Sequence, residues 1–226
     1  APITDYSSEL VFVDAMRSAR AWVSQAPGKP WGHGELLSTD SKGNVMWLKP
    51  LQYAESIIYT GFEKRFPAGT FTCLYDGEGV LMFAGDASVI HDEPGKMLVK
   101  IIPVSGQSTV RLLTTNAANP LRNIRLIHPG LEAGHFTNPF QPAFLNRWQD
   151  FRVMRFMDWQ QTNNSPQVEW ADRPTLDMHS QTLHGVAPEL MCLLCNAQRA
   201  QPWFCMPHRA SDDYVRQFAR LVHGWL

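Results

Sequence analysis

Paired carboxylates are the usual equipment for cutting a glycosidic bond. The carboxyl-terminal half of this sequence offers Asp158, Glu169, Asp172, Asp177, Glu189, Asp212 and Asp213. Position sorts them. Asp212 and Asp213 follow Ser211 at a helix start, where negative charge favours the positive end of the helix dipole. Glu189 sits in the first turn of another helix and has the same explanation. Asp158 is the one carboxylate beside the end of an apolar, strand-like run, Arg152-Val153-Met154-Arg155-Phe156-Met157. A lone carboxylate does not make a retaining or inverting pair, so no catalytic residue is assigned.

The residues around Asp158 suit recognition better than cleavage. Arg155, Asp158, Trp159, Thr162, Asn163 and Asn164 crowd one stretch, with Trp170, Asp172 and Arg173 further along the same polar loop. Trp faces stack on sugar C–H surfaces, while amides, carboxylates and guanidinium groups hydrogen-bond hydroxyls. His208, in Pro207-His208-Arg209, comes after a later strand-like run. Arg155, Asp158, Trp159, Asn163, Asn164, Trp170, Arg173 and His208 are therefore the candidate substrate-binding residues. A structural reading stands beside this one: an Asp158–Arg173 pair, with Trp159 and Trp170 packing under the loop.

Other chemistries find less support. Cys192, Cys195, Cys205 and His208 give a Cys-x2-Cys-x9-Cys-x2-His spacing that invites zinc. Cys192 and Cys195, however, lie in the apolar helical stretch Leu190-Met191-Cys192-Leu193-Leu194-Cys195, where free Cys is common buried filler. No metal and no cofactor are expected. A Cys205–His208 dyad would need the backbone to turn at Pro207, because residues three apart on a strand face opposite ways. No Gly-x-Ser-x-Gly elbow, phosphate-cradling Gly loop or His-Glu-x-x-His occurs.

The elements that must position these residues change character along the chain. From Leu10 to about Ile127, short apolar runs alternate with Gly, Pro, Asn and Asp turn signals. Examples are Leu10 to Val13, Ser56 to Tyr59, Lys96 to Ile102 and Ser108 to Thr114. Gly69 to Tyr75 and Val80 to Phe83 flank Asp76-Gly77-Glu78-Gly79 and read as a hairpin. Asp14 to Val23 has some helical propensity. This spacing predicts a jelly-roll-like β-sandwich over 1–120. Beyond Asn119-Pro120 the text reads strand–helix three times. The strands are Asn123 to His128, Arg152 to Met157 and Pro202 to Met206. The helices are Pro142 to Gln149, Pro188 to Gln198, and a last one capped by Ser211 with Tyr214, Phe218, Leu221, Val222 and Trp225 in its stripe. Such units make parallel strands with right-handed crossovers. A (β/α)8 barrel needs eight of them and about 250 residues, so three units of an incomplete barrel are expected over 121–226.

Composition bounds the partners. The net charge is -1 over 226 residues, with no basic excess to neutralise phosphates. No apolar run approaches the roughly 20 residues of a membrane helix. Nucleic acid and a membrane span are therefore not expected. Eight Trp stand out, because Trp is costly surface unless it packs a core or stacks on a ligand. The start Ala1-Pro2-Ile3, lacking Met, fits a mature end left by signal-peptide removal. With the sugar-binding look of the loop, it predicts a secreted, extracellular protein.

Four stretches carry a family resemblance: Arg155-Phe156-Met157-Asp158-Trp159, Thr162-Asn163-Asn164-Ser165-Pro166, Trp170-Ala171-Asp172-Arg173, and Pro207-His208-Arg209-Ala210-Ser211-Asp212-Asp213-Tyr214-Val215. With Tyr75-Asp76-Gly77-Glu78-Gly79 and the run from Thr115 to Arg125, they resemble a group of large secreted bacterial proteins that carry a β-sandwich before a glycosidase-like (β/α)8 barrel. The resemblance covers nearly the whole chain. In clan A barrels the acid/base Glu ends the fourth strand and the nucleophile Glu the seventh. The sequence stops at Leu226, after the third expected helix, so the resemblance supplies no catalytic Glu. It implies a substrate-lining role for Asp158, Trp159, Asn163, Asn164 and His208.

The expected function is thus the amino-terminal part of a secreted, polysaccharide-acting, glycoside-hydrolase-like protein that binds a polysaccharide or oligosaccharide without cutting it. The alternative is a non-catalytic carbohydrate-binding or surface-assembly module. Its exposed aromatics would be Trp22, Trp31 and Trp47, with burial between the sheets favoured for Trp22. An open parallel strand edge would invite a second chain that completes the barrel, or self-association.

Overall fold

The computed structural model describes residues 2–61 and 65–226 of the chain. Its first part is built from ten strands: β1 (Val23–Gln25), β2 (Ser38–Thr39), β3 (Val45–Trp47), β4 (Tyr53–Thr60), β5 (Gly69–Asp76), β6 (Gly79–Gly85), β7 (Ala87–Glu93), β8 (Lys96–Ile101), β9 (Gln107–Thr115) and β10 (Arg122–Ile127). Eight of them form two four-stranded antiparallel sheets, in the orders β1-β4-β9-β6 and β10-β5-β8-β7. Side chains alternate faces along a strand. That alternation sends Ile58, Leu81, Phe83, Val110 and Leu112 from one sheet, and Phe71, Cys73, Val99, Ile101 and Leu126 from the other, into one shared buried cluster. The two sheets therefore pack face to face, and β2 pairs with β3 as a separate small ladder.

Three local expectations change. The stretches around Asp76-Gly77-Glu78-Gly79 do not form a hairpin, because β5 pairs with β10 and β8 while β6 pairs with β9. The turn carries the chain from one sheet to the other. It is held there by the 116–119 loop: Glu78 N–H donates to Asn119 O at 2.9 Å, and Asn116 N–H donates to Glu78 O at 2.8 Å. Gly77, at φ 91°, makes the passage possible, since a Cβ there would sit 2.1 Å from Pro120 O. Leu10 to Val13 is not a ladder strand either. It makes one isolated bridge, Phe12 to Phe140, and Asp14 makes another to Ile127. The helical propensity after Asp14 yields only a short 3-10 turn over Ala15–Ser18, which Asp14 caps.

The larger correction concerns the second half. Among the described residues, no three-unit portion of a (β/α)8 barrel is present. The first strand expected of it is β10, which lies antiparallel to β5 at the edge of the second sheet. Beyond β10 the chain forms α1 (Pro142–Trp148), β11 (Val153–Arg155), α2 (Pro188–Gln198), β12 (Gln201–Trp203) and α3 (Asp212–Trp225). β11 and β12 do pair in parallel, with Val153 opposite Gln201 and Arg155 opposite Trp203. They are three residues long and form a sheet of their own. Barrel strands are covered on both faces and read as continuous apolar runs. Here Arg152 and Arg155 bracket the strand, Val153 is 54% exposed, and Pro202 removes a backbone donor from β12.

The helices pack on a second core instead. Leu190, Met191, Leu194 and Cys195 of α2 meet Phe140, Phe144, Phe156 and Val186, together with Ile3, Val11 and Phe12 of the amino-terminal segment. The start of the chain is thus part of the carboxyl-terminal half. The long 158–187 loop is pinned from inside by buried glutamines. Gln160 Oε1 accepts from Cys205 N–H at 2.7 Å, and Tyr214 Oη donates to Gln167 Oε1 at 2.8 Å. Ala187 N–H donates to Gln181 Oε1 at 2.7 Å, which fixes the entry to α2. Ser211 caps α3 by accepting from Tyr214 N–H, and Tyr214 and Phe218 bury its stripe.

Candidate functional site

A cleft of about 600 Å³ runs between the amino-terminal segment and the α1–β11 region. One wall is Ile3, Ser7, Ser8 and Glu9. The other is Trp148, Phe151 and the run from Val153 to Trp159. Aromatic rings dominate it. Trp148 lies 5.0 Å from Phe151, and Trp159 lies 5.5 Å from Phe156 and 6.1 Å from Phe12. Phe151 is 53% exposed at the cleft. Glu9 ties the two walls together: Arg147 Nη1 donates to Oε1 at 3.0 Å, and Trp148 Nε1 donates to Oε2 at 3.2 Å. The Arg155 guanidinium stacks over Trp203 at 5.1 Å and donates to Met157 Sδ at 3.3 Å.

Of the residues singled out in the sequence, Arg155, Asp158 and Trp159 come together in this cleft. Asn163 and Asn164 are exposed on the loop beyond it, with Asn164 at a left-handed φ of 57°. Trp170 and Arg173 sit apart from the cleft and pack against each other, the guanidinium 4.2 Å from the ring centroid. Trp170 is edge-on to Tyr214 and Phe218, and Arg173 Nη2 lies 3.9 Å from Glu189 Oε1. Among the described residues, the carboxylate that Arg173 approaches is Glu189, in place of the Asp158 pairing the sequence offered. His208 is exposed and does not line the cleft.

Glu9, Trp148 and Phe151 belong to the cleft and escape a sequence reading. Phe144, Trp148 and Phe151 recur at helical spacing, which reads as a core stripe. Glu9 stands 139 residues from its Trp148 partner, and no local pattern joins them.

Trp159 owes its position to the backbone behind it. Val186 N–H donates to Trp159 O at 2.7 Å. Gly185, at φ 93°, lets the chain pass so close that a Cβ would stand 2.5 Å from that same oxygen. Gly185→Ala therefore forces both an unfavourable backbone region and a backbone clash. We expect it to lower stability by about 2 kcal/mol and to loosen Trp159, seen as a red shift in Trp fluorescence. Unchanged melting and emission would count against this account of the turn.

The cysteines are free. Burial pushes the Cys192 and Cys195 thiols up to about 12 and about 11, so both are held as inert thiols. Among the described residues, no group of three or more His, Cys, Asp or Glu is arranged to hold a metal ion. Among the same residues, no helix is long and apolar enough to cross a membrane. Comparison with protein-family models, with curated proteins and with solved structures finds no match to this chain.

Proposed function

We propose that the chain binds a glycan, with the cleft between the amino-terminal segment and α1–β11 as its site. The carrying observation is one aromatic-walled cleft, with Trp148, Phe151 and Trp159 beside Arg155, Asp158 and Glu9. Flat rings match the C–H faces of sugars, and a guanidinium with carboxylates at the rim matches their hydroxyls. The volume suits a short stretch of an oligosaccharide. The resemblance of Arg155 to Trp159 to secreted glycosidase-like proteins points the same way, and with it goes an extracellular location. In this reading the cleft holds sugar without cutting it, and Glu9, held by Arg147 and Trp148, serves with Asp158 as an acceptor for sugar hydroxyls.

The test is affinity electrophoresis in gels containing soluble β-glucan, xylan or hydroxyethyl cellulose. At least one of them is expected to retard the native chain. Phe151→Ala and Arg155→Ala, both at exposed positions, are expected to cut retention by about tenfold each, roughly 1.4 kcal/mol, with melting unchanged. Free migration in every gel would sink the proposal. So would release of reducing sugar by the purified chain, as far as the non-cutting role is concerned.

A second surface has its own observation. Trp31 is 48% exposed and Trp47 is 44% exposed, whereas Trp22 packs on the sheet core and stacks on His179 at 4.6 Å. Retention lost in Trp31→Ala and Trp47→Ala, and kept in Phe151→Ala, would move the glycan to that face.

A further inference from the structure

A second cavity, of about 480 Å³, lies where the sheets meet the helices. It is bounded by the 3-10 turn at residues 15–18, by β10, by the 176–179 loop and by α2. Its walls carry two guanidinium groups, Arg17 and Arg125, and an apolar surface that includes Ile124, Met178, Leu190 and Leu193. We propose that this cavity takes a small organic carboxylate with an apolar body.

The charge arrangement is the reason. Two acidic side chains share the wall, and both are engaged by other groups. Asp14 Oδ1 accepts from Met16 N–H at 3.0 Å and from Leu126 N–H at 2.9 Å. Asp177 is paired with Lys42 and accepts from Thr175 Oγ1 at 2.7 Å. The Arg17 guanidinium lies 5.9 Å from the Phe12 ring centroid and comes no nearer than 3.9 Å to Asp14, through Nε; its buried Nη1 has no hydrogen-bond partner among the described residues. Arg125 spends its Nε on Asn123 O at 3.1 Å and rests on the Phe136 ring at 5.1 Å. A guanidinium offers a planar fork that a carboxylate matches with both oxygens. A bare inorganic anion would leave the apolar wall unused, and a neutral apolar molecule would leave the arginines unanswered. A carboxylate on a ring or a short alkyl chain satisfies both.

Benzoate and hexanoate are the probes, with benzyl alcohol and inorganic phosphate as controls lacking one feature each. Isothermal calorimetry on the full chain is expected to show saturable binding of at least one probe. The two controls should bind at least tenfold more weakly. Arg125→Gln should weaken the probe at least tenfold, while Phe151→Ala in the glycan cleft leaves it unchanged. Leu193→Trp fills the cavity without touching either arginine and should abolish binding in a chain whose circular dichroism is native. Absence of saturable binding by both acids overturns the proposal. So does phosphate binding as tightly as the acids, or an Arg125→Gln variant that binds the probe like the native chain.

Discussion

Asp14→Ala is expected to remove about 3–5 kcal/mol of folding stability, lowering the melting temperature by about 10 °C or more. Asp14 is buried, and one of its oxygens accepts two backbone N–H groups, those of Met16 and Leu126. The second reaches 112 residues along the sequence. Asp14 thereby fastens the 3-10 turn at 15–18 to the outer edge of the β10-β5-β8-β7 sheet, beside its isolated bridge to Ile127. Ala leaves both donors enclosed without an acceptor, and each such loss costs about 1–3 kcal/mol. Asp14→Asn is the discriminating control. Burial raises the Asp14 carboxyl above its usual range in spite of the nearby Arg17, so its charge contributes less than its acceptor oxygen. An amide oxygen can take over both backbone bonds, and the Asn variant should lose under about half as much as the Ala variant. Equal losses in Ala and Asn would mean that the ion pair with Arg17, and not the backbone acceptor, holds the junction.

The same junction shows what the sequence could and could not reveal. Elements whose signals are local are legible. Ser211, Asp212 and Asp213 mark the start of α3, and Tyr214 and Phe218 mark its buried face. Pro188 opens α2, and the runs at 96–102 and 108–114 become β8 and β9. Apart from the short 3-10 turn after Asp14, the failures are failures of pairing. Asn123 to Ile127 looks the same whether it opens a parallel sheet or closes an antiparallel one. Its partner β5, and the anchoring of Leu126 by Asp14, are set by residues about 50 and 112 positions away. The turn at Gly77 looks like a hairpin because glycine and acidic residues are turn formers. Only the contact with Pro120 and Asn119 makes it a passage between sheets. The parallel pairing of β11 and β12 agrees with the strand–helix rhythm, but the rhythm overstates its extent. The candidate site divides in the same way. Asp158 and Trp159 are visible because they end a strand-like run. Glu9 and Ser8 reach the cleft only because the amino-terminal segment packs against α1 and α2, which no periodicity announces. Trp170 and Arg173 show the converse: residue types that suit sugar binding can equally clamp a loop.

Acidification is expected to destabilise the fold between about pH 6.5 and 4, through His128 and His179. Burial pushes each imidazole down to about 4. His128 is enclosed with Phe71, and its Nε2 lies 2.9 Å from Tyr59 Oη. Burial raises that phenol as well, so it stays protonated throughout this range. His179 is 6% exposed, stacks on Trp22, and keeps Nε2 without a protein partner among the described residues. The Asp40 charge and the Arg20 backbone favour its protonated form, but burial outweighs them. The sign comes from proton counting. Above the ordinary value of 6.5 both states carry neutral imidazoles, and the full stability is present. As pH falls from 6.5 toward 4, the unfolded chain takes up protons that the folded chain refuses, so stability drops until the folded imidazoles titrate. Each histidine accounts for about 3 kcal/mol across that window. Asp14 acts in the opposite sense, because its raised carboxyl binds a proton more readily in the folded state. Urea unfolding at pH 7.0 and pH 4.5 therefore needs a reference that removes one imidazole and leaves Asp14 in place. His179→Gln is expected to lose stability at pH 7.0, and to show a difference between the two pH values smaller than the native one by about 2–3 kcal/mol. The same pH difference in native and variant chains would show that His179 titrates normally in the fold, and the buried position assigned to it beside Trp22 would be wrong.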